Sequence, residues 1–187
     1  MGMSHSEERV IMSHETVEEH AKNIMDVSVL GYTKVGKTSI FKSITEYDKD
    51  RLLCGTYKQT LVLDMHSVLI NNTILHVWDT MGIDDISDNP EITDATDYLV
   101  NMCTLFVIVF ALDNIDSWNF AQTMIKRISK LRTSPFLIIL VGNDMGLGRV
   151  VGCEDIDVLK QSNTGTEYFE VKDSCYDIII HLEETLR

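Results

Sequence analysis

Gly31-Tyr32-Thr33-Lys34-Val35-Gly36-Lys37-Thr38 carries the complete G-x-x-x-x-G-K-[ST] spacing of a phosphate-binding loop. The apolar run Val27-Ser28-Val29-Leu30 before it reads as a buried strand, and Ser39–Ile44 after it as a helix. A loop between strand and helix turns successive backbone N–H groups toward one point, where the helix N-terminus adds its positive dipole end. Lys37 is then placed for the β- and γ-phosphates and the Thr38 hydroxyl for Mg²⁺. Gly31, Thr33, Lys34, Val35, Gly36, Lys37, Thr38 and Ser39 are the candidate cradle. The expected ligand is a nucleoside di- or triphosphate.

The rest of the chain suits one such domain. Its 187 residues are enough for a single sizeable core, and 44% apolar with 24% charged residues is ordinary globular composition. A formal net charge of −13 excludes a general nucleic-acid-binding role and disfavours unassisted docking on anionic membranes. Cys54, Cys103, Cys153 and Cys175 have no C-x-x-C spacing and are expected as buried thiols in a reducing compartment. The longest apolar stretches are strand-sized, and no secretory signal stands out, so the expected location is the cytoplasm, with peripheral membrane attachment left open. Met1–Ser6 fits a myristoylation pattern, against which stands the simpler reading that Met3 is the natural start.

Residues 1–25 are polar and unpatterned and are expected to form a flexible extension, leaving 26–187 as the domain. Leu61–Leu69 and Thr73–Trp78 predict a hairpin closed by Ile70-Asn71-Asn72. Helices are expected near 91–101, at 117–131, 154–161 and 176–186, with strands at 104–112, 136–141 and 168–171. Continuous apolar strands separated by amphipathic helices predict an α/β fold. Its six-stranded sheet is mostly parallel, with one antiparallel strand and helices on both faces.

A second anchor is Trp78-Asp79-Thr80-Met81-Gly82 at the end of a predicted strand. Asp79 stands where a P-loop protein holds Mg²⁺, usually through water, and the Gly82 N–H is placed for a γ-phosphate. These motifs and the order of elements together resemble the Ras superfamily of small GTPases, most closely its Rab-like branch. The resemblance also takes in Thr60–Met65, Val141-Gly142-Asn143, Arg149-Val150-Val151 and Tyr168-Phe169-Glu170. It implies a P-loop NTPase fold and a guanine-nucleotide switch that binds GTP or GDP with Mg²⁺. Effectors and an exchange factor would engage mobile segments at 47–62 and 80–97. The metal set it implies is Thr38, Asp79 and a switch threonine, either Thr60, which fits by local sequence, or Thr56, which fits by spacing. Family members attach to membranes through lipidated cysteines. Glu183–Arg187 contains none, so membrane contact is expected only through lipidation not encoded in these residues.

Four positions depart from the family pattern. Ile83 follows Gly82 where a Gln normally orients the attacking water, and its side chain has no hydrogen-bonding atom. Such switches already hydrolyse GTP on the order of 10⁻⁴ s⁻¹ unaided, so very slow turnover is expected and no catalytic residue is assigned. Thr33 and Lys34 replace glycines of Ras itself, Thr33 crowding the path of an arginine finger. The base-reading N-K-x-D appears as Asn143-Asp144-Met145-Gly146, without the Asp that accepts from guanine. Losing such a charged partner removes roughly 1.5–3 kcal/mol. The S-A-K segment aligns with Lys172-Asp173-Ser174, which brings a carboxylate toward the guanine carbonyl. The expectation is an atypical GTPase with an intact phosphate grip, weakened base choice and slow hydrolysis. The alternative is a pseudo-GTPase serving as an interaction module. A P-loop protein with kinase-like chemistry is a more distant reading, unsupported by any basic lid segment.

Overall fold

The computed structural model describes residues 23–46, 63–82, 90–163 and 165–187. In chain order they form β1 (Asn23–Gly31), α1 (Lys37–Thr45), β2 (Leu63–Ile70), β3 (Thr73–Thr80), α2 (Pro90–Met102) and β4 (Leu105–Ala111). There follow α3 (Ile115–Leu131), β5 (Leu137–Asn143), α4 (Cys153–Ser162), β6 (Thr166–Val171) and α5 (Tyr176–Thr185). The strands make one six-stranded sheet in the order β2-β3-β1-β4-β5-β6. Only the β2–β3 pair is antiparallel; β1–β3, β1–β4, β4–β5 and β5–β6 are parallel. This is the expected P-loop NTPase architecture of the Ras-like kind.

Strand parity separates two cores. Val27, Val29, Val107, Val109 and Val141 face α1 and α5, meeting Ile40, Phe41, Ile44, Ile178, Ile179 and Leu182. Leu30, Phe106, Ile108, Phe110 and Leu140 point the other way, onto Leu99, Trp118, Met124, Ile125, Ile128 and Ile156 from α2, α3 and α4. The central strand β4, Leu-Phe-Val-Ile-Val-Phe-Ala, is buried along its whole length because both of its faces are covered.

Several boundaries differ from expectation for local reasons. β1 begins at Asn23, so three residues assigned to the extension pair with β3, Asn23 opposite Thr73. The hairpin turn is Asn71-Asn72 alone, with φ of 49° and 64°, a two-residue left-handed turn that leaves Ile70 in its strand. Asn71 also donates through Nδ2 to the Glu183 carbonyl of α5 at 2.6 Å. α3 starts two residues early because Asn114 caps it, its side chain accepting from the Ser117 N–H at 3.0 Å. The thiol expectation is corrected at one position. Cys103 and Cys175 are buried, but Cys153 is exposed at the first residue of α4. Cys54 lies outside the described residues.

Candidate nucleotide-binding site

The loop Gly31–Thr38 leaves the carboxyl end of β1 and enters α1 at Lys37. Gly31 is required by packing, since a Cβ there would collide with the Val109 carbonyl of β4. Gly36 is required by conformation, at φ 95°, and by packing, since a Cβ would sit 2.5 Å from Asn143 Nδ2. That Asn143 amide donates to the Val35 carbonyl at 3.0 Å and is buried. The end of β5 thereby supports the loop from beneath. Ser39 and Ile40 N–H groups both turn onto the Gly36 carbonyl at 3.1 Å, closing the first turn of α1.

Lys37 is 5% exposed, and its ammonium donates to the Tyr32 carbonyl at 2.7 Å, across the mouth of its own loop. The Thr38 hydroxyl donates to the Asp79 carboxylate at 2.7 Å. Asp79 is 1% exposed at the end of β3, and the adjacent Thr80 hydroxyl bonds the Val29 carbonyl at 2.9 Å, fixing β3 against β1. A buried carboxylate requires cationic or hydrogen-bonding company. Here a hydroxyl and a carboxylate, both hard oxygen donors, meet at the start of the helix that carries Lys37. That donor set fits Mg²⁺, which takes one or two protein oxygens and completes its shell with phosphate and water. Gly82 abuts the loop from the other side, a Cβ there falling 2.7 Å from the Thr33 Cα and 3.0 Å from its Oγ. Thr33 thus occupies the space over Gly82. Thr60, Thr56 and Ile83 lie outside the described residues, as does 47–62; of the 80–97 segment only 80–82 and 90–97 are described.

At the base end, Asp144 is held from two sides. Its Oδ1 accepts from the Gly146 N–H at 2.9 Å, a short local turn, and its Oδ2 lies 3.4 Å from Lys172 Nζ. The Gly146 N–H, and after it the Lys172 ammonium, hold the Asp144 carboxyl below the usual carboxylate range. The Asp144 N–H donates to the Val171 carbonyl at 2.7 Å. Gly146 itself is left-handed at φ 75°, and a Cβ added there meets nothing. Asp173 is exposed one residue beyond Lys172.

Two sets of contacts here escaped sequence reasoning. Tyr32 acts through its carbonyl, which no side-chain pattern reveals. Arg149 joins the loop after β5 to β6, donating through Nη1 to Glu170 at 2.9 Å and through Nε to the Val151 carbonyl at 2.9 Å. Tyr168 donates to the same Glu170 oxygen at 3.1 Å, its hydroxyl pushed up by burial and then by that carboxylate. An Arg and a Glu 21 residues apart give no local signal.

Comparison with known proteins agrees with this geometry. A family model described as the Ras family matches residues 26–175. The chain is also similar to the Ras-related protein RABG1 of Arabidopsis thaliana, 28% identical over 157 residues that cover 80% of this chain and 74% of that protein.

Proposed function

The chain belongs to the Ras family of small GTPases, and from that premise we propose a Mg²⁺-dependent guanine-nucleotide switch that grips phosphates well, reads the base weakly and hydrolyses very slowly. The observation that carries this reading is the contrast between the two ends of the site. At the phosphate end, the Thr38 hydroxyl meets the Asp79 carboxylate, and the Lys37 ammonium crosses the same loop to the Tyr32 carbonyl. At the base end, both oxygens of Asp144 are already engaged, and Gly146 supplies no side-chain acceptor.

In this reading Lys37 exchanges the Tyr32 carbonyl for phosphate oxygens. The loop N–H groups and the N-terminus of α1 take up the remaining charge. Mg²⁺, held by Thr38 and Asp79, supplies neutralisation of phosphate charge when it is bound. Thr60 is our candidate for a further ligand. The Gly82 N–H senses the γ-phosphate, and with Ile83 next to it no side chain there orients water. Residues 23–187 act as the nucleotide-binding domain, with the residues before β1 as an extension. Effectors and an exchange factor read 47–62 and 80–97, in membrane traffic or signalling.

One experiment tests the reading. The purified protein is denatured, any released nucleotide is identified by chromatography, and GTP, GDP and ATP affinities are measured with and without Mg²⁺. Mg²⁺-dependent guanine-nucleotide binding with less than about a hundredfold preference over ATP supports it. Strict guanine selectivity overturns the claim about the base, and absence of all binding leaves the interaction-module reading. Among the described residues no helix is long and apolar enough to cross a membrane.

A further inference from the structure

Leu147, Val150 and Val158 stand 77%, 59% and 66% exposed, and among the described residues no large apolar side chain is more exposed than Leu147. Single apolar groups in solvent are ordinary, but these three share the loop after β5 and the helix it enters. On α4, Ile156 and Leu159 are buried, which puts Glu154, Asp157 and Val158 on the outward face. A Cβ added at Gly146 or Gly148 meets nothing, so the loop carrying Leu147 stands clear of the body. It is nevertheless pinned at its base. The Val150 and Val151 N–H groups donate to the Leu112 carbonyl at 2.8 and 3.1 Å, and Arg149 bonds Glu170 and the Val151 carbonyl, each at 2.9 Å. A surface ordered before binding gives up little entropy when a partner arrives.

The charge beside these apolar groups selects the partner. Glu154, Asp155 and Asp157 are exposed and make no ion pair among the described residues. Arg149 is neutralised by Glu170, and Lys160 belongs to the last turn of α4. A second copy docking through the same face would set these carboxylates against their own kind. An anionic bilayer or a nucleic acid is repelled too, by the three carboxylates and by the net charge of −13. A helix with apolar side chains along one stripe and Lys or Arg beside them matches both the apolar and the acidic groups. We propose that the 147–150 loop and the outward face of α4 form a docking surface for a basic amphipathic helix of a partner protein. This goes beyond the nucleotide reading and does not depend on it.

The test titrates the full chain into a fluorescein-labelled helical peptide of Leu and Lys at amphipathic spacing, read by anisotropy. Two further peptides replace every Lys by Glu or every Leu by Ser. The protein variants are the triple Leu147→Ser, Val150→Ser, Val158→Ser and the double Glu154→Gln, Asp157→Asn. All five side chains are exposed, so the fold is expected to persist, and the thermal midpoint checks it. Tyr98→Ser on α2 and Glu184→Gln on α5 remove an exposed apolar group and an exposed charge elsewhere. Affinity for the Leu–Lys peptide should fall at least tenfold in the triple variant. It should fall roughly three- to tenfold in the double variant, less as salt is raised, and hold in both controls. Either altered peptide should bind at least tenfold more weakly to the wild type. No binding of the Leu–Lys peptide, equal binding by the triple variant, or an equal loss in the controls overturns the proposal. A wild-type dimer in sedimentation that the triple variant abolishes assigns the face to a second copy and overturns it as well.

Discussion

The Thr38 hydroxyl donates to the Asp79 carboxylate across 2.7 Å, joining the start of α1 to the end of β3 over a sequence separation of 41 residues. A neutral oxygen of α1 and a charged oxygen of β3 thus lie side by side, as a shared cation would require. Thr38→Ala is expected to weaken nucleotide binding in Mg²⁺ by roughly 1.5–3 kcal/mol, or about ten- to a hundredfold, with much less effect in EDTA. Titration of labelled GDP under both conditions checks it. An equal loss in both would place Thr38 outside the metal shell.

Gly36→Ala combines a left-handed backbone with a Cβ 2.5 Å from Asn143 Nδ2. Left-handed strain alone costs roughly 1–2 kcal/mol, so a fall of about 4–8 °C in thermal midpoint is expected once the Asn143 contact is added. Nucleotide binding should fall further than stability, because the same shift displaces the Val35 carbonyl and the N–H groups beside it. Thermal melts with and without GDP separate the two effects.

At the base end, Asp144→Lys with Gly146→Asp rebuilds the family pattern and removes the Asp144 turn. The GTP-to-ATP affinity ratio of the double variant should rise at least tenfold above wild type, measured by competition against labelled GDP. Asp tolerates the left-handed region better than most residues, which keeps the variant foldable. An unchanged ratio would overturn the claim that this loop sets base choice.

On the proposed reading, Ile83→Gln would supply a group that orients water, and Thr33→Gly opens the space over Gly82. Phosphate release by the double variant should exceed wild type at least tenfold. Single-turnover release of γ-phosphate is the measurement, and a wild-type rate equal to the variant's would refute the argument from Ile83.

Burial pushes the Cys103 thiol up to about 12 and the Cys175 thiol up to about 11. A folded-state value raised above the unfolded value of about 8.5 gives stability that is complete below that pH and is lost as pH climbs toward the folded values. The thermal midpoint should therefore hold from pH 6 to 8 and fall above about 8.5, each thiol contributing a slope approaching 1.4 kcal/mol per pH unit. Cys175→Ala should flatten the alkaline limb. Asp144 acts in the opposite direction: the Gly146 N–H and then Lys172 hold its carboxyl below the usual carboxylate range, so its contribution is present at neutral pH and is lost only in acid.

Wherever one local pattern decided the answer, the fold was legible in the sequence. β4 is apolar throughout because helices cover both sides, and the phosphate loop declares its strand, turn and helix together. What stayed hidden depends on groups without a side-chain signature or on distant partners. Asn23 and Ile24 join β1 because β3 offers them a parallel ladder, although neither is buried. The start of α3 turns on one cap, Asn114, which reads equally well as a loop residue. At the site, Thr38 and Asp79, from two separate motifs, meet in a hydrogen bond, while Lys37 bonds the Tyr32 carbonyl of its own loop. The engagement of Asp144 by Lys172 has no local signal, because it joins two loops 28 residues apart.

The β2–β3 ribbon keeps an unbroken register from Leu63 opposite Thr80 to Ile70 opposite Thr73, and its turn is fastened to α5 by Asn71. A strand cannot slide by one residue without turning its buried side chains outward, so the ribbon behaves as a stiff splint. The chain arriving at Leu63 and the chain departing at Thr80 are consequently yoked at one spot. A push delivered to either is delivered to both, with the far end braced on the terminal helix.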